Sequence, residues 1–324
     1  MSIDPPARNV MISSASRKVP LVRSVVEAAQ RVDFPAKVFA ADADPSAHAQ
    51  LVADGFIPLP RTDPSNLAAI TDLLTSHHIA TVIPTRDGEL MFWAEHREHF
   101  AGAGIDVVVS PPETIATTLD KRAFSDHGRR HGLPIVPVRD QVDPDDPGPF
   151  VVKERLGAGS RSIGLDLNGA DALAHARLLE DPIIQPHVSG LESSADAWFD
   201  RDGNLKGMVL RRRAQVVNGE SVVTTTFRDD ALATTLREVT ATLRFRGPVV
   251  IQVIVDAHGA AHVIEINSRF GGASTTSIAA GLDLWYWTLL DSAGYDTATL
   301  PFARVAGEIQ QVRVPSDLHF EVQP

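Results

Sequence analysis

The segment VIEINSRFGG, residues 263–272, carries polar side chains at every second position of a predicted strand. Side chains alternate between the two faces of a strand, so Ile264 and Ile266 share one face, while Glu265, Asn267 and Arg269 share the other. A carboxylate and an amide supply oxygen ligands that suit Mg²⁺, and a guanidinium can hold a phosphoryl group. By itself the pattern is more typical of a solvent-facing strand, so a functional interpretation depends on the neighbouring segments.

A second strand precedes this one and is predicted to form a hairpin with it. The sequence VVIQVIVDAHGAAHVIEIN has a turn signal at His258-Gly259, and a two-residue loop there pairs Gln252 directly with Glu265. Gln252, Glu265 and Asn267 then form a candidate magnesium site, completed by phosphate oxygens and water. A polar cluster without metal is the alternative, but it gives no reason for the glycine-rich end beside the arginine.

A glycine-rich segment, GAGSRSIG, follows a predicted strand that contains Lys153. Glycine and serine allow close approach of a polyphosphate to backbone N–H groups, and the lysine adds positive charge. The segment lacks the GK[ST] ending of a Walker loop, so an ordinary hairpin turn is equally well supported. The candidate phosphate-binding residues of this loop are Gly157, Gly159, Ser160 and Ser162.

The segment LRRRAQVVNGES, residues 210–221, is predicted to be a strand with Arg211 and Arg213 on one face and Arg212 on the other. A guanidinium fork suits a carboxylate or a phosphate, which makes the first pair a candidate substrate site. A solvated basic edge strand has equal support from the sequence.

The first part of the chain alternates short apolar strands with helical stretches, which predicts a parallel sheet. The predicted strands cover residues 9–14, 36–42, 81–84 and 106–110, and the predicted helices cover residues 20–32, 66–78 and 88–100. The turn after the first strand, SSASRK, contains no glycine, so the fold is predicted to be Rossmann-like without nicotinamide binding. Prolines near residue 111 indicate a boundary. Beyond it, strands flank the glycine-rich turn, and the last section joins hairpins with one helix.

Composition limits the classes of function. The chain has 324 residues, 44% of them hydrophobic, and a net charge of −11, which argues against a broad nucleic-acid-binding surface. The absence of cysteine excludes disulfides, thiolate metal sites and cysteine nucleophiles. No run approaches the ~18 apolar residues of a membrane-spanning helix. We therefore expect a cytoplasmic protein that acts on small molecules, without nucleic acid or membrane partners.

Together these segments resemble the ATP-grasp superfamily, specifically the carbamoyl-phosphate-synthase-like branch of small ATP-grasp ligases. The resemblance covers nearly the whole chain and lies in the order and spacing of the motifs. It implies an α/β protein with a Rossmann-like N-terminal domain, residues 1–112, followed by a two-lobed α+β ATP-grasp module. The central lobe is expected at residues 113–188 and the C-terminal lobe at residues 189–324.

The resemblance also implies roles for individual residues in nucleotide binding. Two lysines are expected on the ATP phosphates, a four-residue segment around adenine and one glutamate on the ribose. In that order these are Lys121 and Lys153; Gln185, Pro186, His187 and Val188; and Glu192.

For the reaction itself, the resemblance makes Gln252, Glu265 and Asn267 the Mg²⁺ ligands, with Mn²⁺ as an alternative ion. It assigns phosphoryl transfer to Arg269 and turns Arg211 and Arg213 towards the substrate. Arg86, Asp87 and residues 14–18 are candidates for the acceptor pocket, although each could equally serve structure. Two residues depart from the usual pattern, because Ser268 and Glu154 stand where the family commonly has proline.

The expected activity is that of an ATP- and magnesium-dependent ligase that joins a carboxylate to an amine through an acyl phosphate, releasing ADP and phosphate. The partners are then ATP and two small-molecule substrates, and the resemblance suggests a homodimer. Two alternatives remain open from the sequence. One is phosphorylation of carbamate or bicarbonate, and the other is a nucleotide-binding regulator without turnover.

Overall fold

The computed structural model describes residues 7–157, 162–217 and 220–314, together with residue 317. Its N-terminal part alternates strands and helices. In chain order these are β1 (Asn9–Ile12), α1 (Val19–Ala29), β2 (Val38–Asp42), β3 (Gly55–Pro58), α2 (Leu67–Ser76), β4 (Ile79–Ile83), α3 (Asp87–Glu95), α4 (Arg97–Gly102) and β5 (Asp106–Val107).

The five strands form a parallel sheet in the order β3-β2-β1-β4-β5. The sequence predicts four of them but misses β3, whose residues GFIP include a glycine and a proline, two residue types that are uncommon in strands. From β1 the chain adds β2 and β3 on one side of the sheet and then β4 and β5 on the other side. The loops after β1 and β4 therefore leave in opposite directions and border one crevice. In open α/β sheets such a switch point is where ligands bind.

The middle part consists of α5 (Pro112–Leu119), α6 (Lys121–His131), β6 (Phe150–Glu154), β7 (Gly164–Leu167), α7 (Gly169–Ala176) and β8 (Pro182–Pro186). The three strands form an antiparallel sheet with β6 in the centre. Phe150 and Val152 face Ala172 of α7 in a small hydrophobic core. This core leaves the other face of β6 for polar side chains.

The C-terminal part contains a six-stranded antiparallel sheet in the order β13-β12-β9-β10-β11-β14. Its elements are β9 (Leu191–Phe199), β10 (Leu205–Val217), β11 (Glu220–Phe227), α8 (Asp230–Ala241), β12 (Gly247–Val255), β13 (Ala261–Asn267), α9 (Thr275–Ala279), α10 (Leu284–Ser292) and β14 (Gln310–Val312). The predicted fold class, a Rossmann-like domain followed by a two-lobed α+β module, is confirmed. The exact domain boundaries stay a prediction.

The N-terminal domain packs directly on the C-terminal lobe. Val22 and Val25 of α1 share one hydrophobic core with Trp285 and Trp287 of α10, and Trp198 of β9 joins the same core. All five side chains are at least 95% buried, so the contact is an extensive apolar one. It holds the crevice of the parallel sheet beside the end of β13.

The β12–β13 hairpin differs from its prediction in one detail. Its turn is closed by a hydrogen bond from the Gly259 N–H to the Asp256 carbonyl, with Gly259 at φ +82°, and it is longer than the predicted two-residue loop. A bulge in β13 compensates, so Gln252 still pairs with Glu265. As a result Val263, and not the predicted Ile264, joins Ile266 in the core.

One predicted helix is interrupted. The stretch from residue 88 to residue 100 forms α3 and α4, which meet at His96. Among the helices that the structure describes, none has the length and apolar character needed to cross a membrane.

Candidate active site

The β12–β13 hairpin places the three candidate magnesium ligands together. Gln252 Nε2 donates to Glu265 Oε1 at 2.6 Å, and Asn267 Nδ2 donates to the same oxygen at 3.0 Å. All three side chains point away from the core formed by Val263 and Ile266. The strand register therefore gathers one carboxylate and two amides on a single face.

Two lysines from the central lobe face this carboxylate. Burial lowers the pKa of Lys153 from 10.5 to about 8, with the positive charge of Lys121 adding to the effect, while Glu265 acts in the opposite direction. Burial also lowers the pKa of Lys121, and Glu265 again opposes the shift. Among the described residues, none accepts a hydrogen bond from the Lys153 ammonium. The cleft between the lobes thus contains a desolvated positive charge to which no described residue offers a hydrogen-bond acceptor.

The base of the glycine-rich loop is fixed by Lys121. Its ammonium donates to the backbone carbonyls of Gly157 at 3.0 Å and Arg155 at 3.3 Å. Gly157 has φ +125°, which glycine adopts readily, and Ser162 on the other side has φ +54°. Of the four loop candidates, Gly159 and Ser160 lie outside the described residues.

The departure at Glu154 is explained by strand alternation. Lys153 and its neighbour point to opposite sides of β6, and the Glu154 carboxylate accepts the backbone N–H groups of Glu180 at 2.9 Å and Asp181 at 3.0 Å. These hydrogen bonds lower its pKa. Its charge therefore stabilises the turn before β8, and its side chain lies on the face of β6 opposite that of Lys153.

The departure at Ser268 likewise has a structural explanation. Ser268 is 5% exposed, and its hydroxyl lies 3.2 Å from the hydroxyl of Thr118 in α5. The serine thus ties the end of β13 to the helix that precedes Lys121.

The predicted adenine segment lies at the end of β8, where the central lobe joins β9. The Gln185 side chain is buried and donates to the carbonyl of Val136 at 2.9 Å, while the His187 N–H donates to the carbonyl of Pro149. The His187 ring lies 3.5 Å from Asp166 of β7. Within the described part of the chain, the Val188 N–H has no hydrogen-bond acceptor. Pro186 pairs with Phe150 and continues the sheet.

The predicted ribose residue, Glu192, is joined to the magnesium candidates through Arg213. The Arg213 guanidinium forms an ion pair with Glu192 and lies 3.4 Å from Gln252 Oε1. Its Nε donates to the hydroxyl of Ser221 at 3.0 Å. Arg213 is consequently part of the polar face that contains Gln252 and Glu265.

Arg211 has different surroundings from Arg213, although the two share a face of β10. Its guanidinium is 3% exposed and donates to both carboxylate oxygens of Asp196, at 2.6 and 3.0 Å. Asp196 also accepts the hydroxyls of Ser274 and Ser277, which lie at the start and in the middle of α9. In the structure Arg211 thus stabilises the start of α9 through Asp196. Its direct contact with a substrate stays a prediction.

Arg269 projects from the end of β13 towards the crevice of the N-terminal domain. Its Nε and Nη2 donate to the two carboxylate oxygens of Asp87 at 2.7 and 2.5 Å, and Nη2 also lies 3.3 Å from Asn267 Oδ1. The Arg269–Asp87 ion pair thus joins the C-terminal lobe to the N-terminal domain at the site. From the sequence, Asp87 was only a candidate for the acceptor pocket.

The crevice contains further polar residues. Lys18 donates to the carbonyl of Ser14 at 2.7 Å and to the hydroxyl of Thr85 at 2.9 Å, and burial lowers its pKa from 10.5 to about 8. The fully buried Glu89 accepts hydrogen bonds from Ser14, Trp93 and the backbone of Thr85. Sequence reasoning missed Glu89, for which the only signal was its position three residues after Arg86 at a helix start.

The donor set is suitable for magnesium. Among the residues that the structure describes, no three acidic or histidine side chains converge, and Glu265 is the carboxylate that lies between the two amides. The amide oxygens of Gln252 and Asn267 can join it after rotation of their side chains. Mg²⁺ commonly binds through one or two carboxylates together with substrate phosphates and water, which matches this arrangement.

Two family models match the chain. The model described as "PylC-like, N-terminal domain" matches residues 10–108, and the model described as "ATP-grasp in the biosynthetic pathway with Ter operon" matches residues 179–314. No curated protein sequence matches the chain.

Several solved structures share this fold. The biotin carboxylase domain of the Hydrogenobacter thermophilus 2-oxoglutarate carboxylase, with MgADP, ADP and bicarbonate, is 17% identical with a TM-score of 0.74, over 94% of this chain and 74% of that one. The Staphylococcus aureus N5-carboxyaminoimidazole synthetase is 15% identical with a TM-score of 0.66, over 91% and 80%. The Bacillus licheniformis L-amino acid ligase is 16% identical with a TM-score of 0.70, over 96% and 80%.

Proposed function

Because the chain belongs to the ATP-grasp superfamily, we propose that it is an ATP- and Mg²⁺-dependent ligase that joins a carboxylate to an amine. One observation carries the proposal: Lys121 and Lys153 of the central lobe face Glu265, which lies between two amides at the end of the C-terminal sheet. Buried lysines with lowered pKa values gain stability when an anion such as a polyphosphate binds beside them.

In this proposal the nucleotide lies between the central and C-terminal lobes. Lys153 and Lys121 bind its phosphates under the glycine-rich loop, the backbone from Gln185 to Val188 borders adenine, and Glu192 binds the ribose. In the structure the Glu192 carboxylate is paired with Arg213, so the ribose must replace Arg213 as its hydrogen-bond partner when ATP binds.

The reaction proceeds in two displacements. A carboxylate oxygen of the first substrate attacks the γ-phosphorus and ADP leaves, which yields an acyl phosphate. The amine then attacks the acyl carbon and phosphate leaves. When bound to Gln252, Glu265 and Asn267, Mg²⁺ neutralises charge on the phosphates. Arg269 and Arg213 stabilise the transferring group and the substrate, while the lobes exclude water from the intermediate.

A second candidate function is phosphorylation of bicarbonate or carbamate. The similar fold of the Hydrogenobacter thermophilus domain, whose structure is a complex with MgADP, ADP and bicarbonate, supports it. ADP release that depends on bicarbonate but not on an organic carboxylate would favour this candidate. A regulator without turnover would bind ATP and release no ADP with any substrate. The homodimer and the cytoplasmic location remain predictions.

Hydroxylamine provides the test of the ligase proposal, because it replaces the amine and converts an acyl phosphate into a hydroxamate. The protein is incubated with ATP, Mg²⁺, hydroxylamine and each of a panel of amino acids and other carboxylates. We expect hydroxamate, ADP and phosphate with the correct carboxylate, and loss of hydroxamate in Arg269→Ala with ATP still bound. Stoichiometric AMP would contradict the proposal, since it would indicate attack on the α-phosphate.

A further inference from the structure

The Asp87 carboxylate reaches the candidate phosphate site from the N-terminal domain. It is the first residue of α3, directly after the crevice at the end of β4, and its side chain is only 17% exposed. It forms a two-point ion pair with Arg269 and lies close enough to Lys121 to raise the pKa of that lysine. The N-terminal domain thus contributes a negative charge to a site that must accept ATP.

This ion pair occupies the donors that Arg269 needs for phosphoryl transfer. A guanidinium has five N–H groups, and in the structure four of them are directed at Asp87, Asn267 and the carbonyl of Phe270. The Nε and Nη2 groups that hold Asp87 form a fork of two parallel donors, which is the arrangement that binds a phosphate with two hydrogen bonds. A phosphoryl group that binds to this fork therefore displaces the Asp87 carboxylate.

After displacement, Asp87 needs another cation. A largely buried carboxylate beside a phosphate is unfavourable unless it is paired. Among the described residues, Arg269 is the one cation within ion-pair distance of Asp87, and the nearby Lys121 already donates to two backbone carbonyls. The remaining reactant, the amine, is protonated at neutral pH and must approach the acyl carbon beside Arg269.

The other carboxylates of the site already have partners. Glu265 accepts hydrogen bonds from both amides of the candidate magnesium site, and Glu192, which Arg213 holds in the structure, binds the ribose in the proposed complex. Asp87 is the acid that phosphate binding sets free, and it lies on the side of Arg269 that faces the crevice of the N-terminal domain.

We propose that Asp87 binds the ammonium form of the amine substrate once a phosphoryl group has replaced it on Arg269. This assignment rests on the proposed ligase function. The bound ammonium then loses one proton to solvent and its nitrogen attacks the acyl carbon. The bond from that carbon to the phosphate oxygen breaks, and the second proton passes from nitrogen to the departing phosphate. The amine consequently enters through the crevice between β1 and β4.

The test compares charged and uncharged nucleophiles. Hydroxylamine is largely uncharged at neutral pH, whereas ammonium, methylamine and glycinamide are largely protonated. With the carboxylate that gives most hydroxamate in the wild type, the KM of each nucleophile is measured from ADP release in the wild type and Asp87→Asn. We expect the KM of the best protonated amine to rise roughly ten- to hundredfold more than that of hydroxylamine, because a charge-assisted hydrogen bond is lost.

Two further variants make the outcome decisive. Asp87→Glu retains the charge and should recover most of the selectivity for the protonated amine, while Asp72→Asn, at an exposed position of α2, should change neither KM. Equal changes for both nucleophiles in Asp87→Asn would overturn the proposal, since a role confined to orienting Arg269 affects all nucleophiles alike. Absence of hydroxamate in the wild type with every carboxylate would instead contradict the ligase function, and this assignment with it.

Discussion

Two polar clusters, one within the C-terminal sheet and one between that sheet and the central lobe, differ in how well their groups are paired. The first, which we call the closed cluster, consists of Arg211, Asp196, Ser274 and Ser277, and hydrogen bonds to Asp196 join all its members. The second, the open cluster, consists of Lys121, Lys153, Gln252, Glu265 and Asn267, and it contains a desolvated lysine with a lowered pKa.

The difference separates a structural role from the proposed binding role. In the closed cluster the two carboxylate oxygens of Asp196 receive four donors, so a ligand would add nothing to its pairing. In the open cluster a buried positive charge faces a carboxylate with one oxygen free of described partners, which leaves room for phosphates and a metal. Unsatisfied polar groups in a cleft are thus the more informative signal of function.

Breaking the closed cluster should have the largest effect on stability. Asp196→Ala leaves the buried Arg211 without its partner, and we expect the free energy of unfolding to fall by about 3–5 kcal/mol. Urea denaturation measures this change. Asp126→Ala, which removes an exposed ion pair with Arg129, should cost less than about 1 kcal/mol. Similar small losses in both variants would show that the closed cluster does not hold the fold.

Removing the charge of the open cluster should affect activity more than stability. In Glu265→Gln an amide replaces the one carboxylate of the candidate magnesium site, and we expect turnover to fall at least about a hundredfold, equivalent to about 3 kcal/mol. ADP release at saturating Mg²⁺ measures turnover, and the urea midpoint should stay near that of the wild type. Glu113→Gln, at an exposed position of α5, is the matched control. A folded Glu265→Gln protein with normal turnover would exclude this residue from the metal site.

The smallest change concerns Lys153, where stability and binding should move in opposite directions. Lys153→Met removes a desolvated ammonium, so the free energy of unfolding at pH 7 without nucleotide should rise by about 1–3 kcal/mol. ATP affinity should fall roughly ten- to hundredfold, because a charged donor to phosphate is lost. Urea denaturation and calorimetric titration with ATP measure the two effects, with the exposed Lys37→Met as control.

The pH dependence of this gain distinguishes a desolvated lysine from a packing effect. The folded-state pKa of Lys153 is about 8, below its ordinary value of 10.5. Below pH 8 Lys153 is protonated in both the folded and the unfolded state, and the full cost of burying its charge is present. Between the two pKa values the unfolded state binds more protons, so the stability of the wild type rises with pH. The advantage of Lys153→Met should therefore shrink from pH 7 to pH 10. A constant advantage would attribute the gain to packing.

The sequence predicted the site best where its residues are close along one hairpin. Gln252 and Glu265 pair as expected because a bulge in β13 offsets the longer turn. The hydrophobic alternation itself was wrong at Ile264, because a bulge shifts the period of a strand in a way that local pattern does not reveal. Arg211 and Arg213 illustrate a second limit. Strand alternation assigns both arginines to one face, but it cannot indicate that Asp196 forms a buried ion pair with Arg211 and not with Arg213.

The sequence by itself determined the order of the elements, the fold class and the residues that face one another across the hairpin. These follow from hydrophobic periodicity and the fixed geometry of neighbouring strands. The tertiary structure decided which charges meet. Asp87 pairs with Arg269 because α1 packs on α10 and brings the crevice of one sheet to the end of another, 182 residues further along the chain. Such contacts depend on how whole elements pack, and local sequence carries no record of the distance between them.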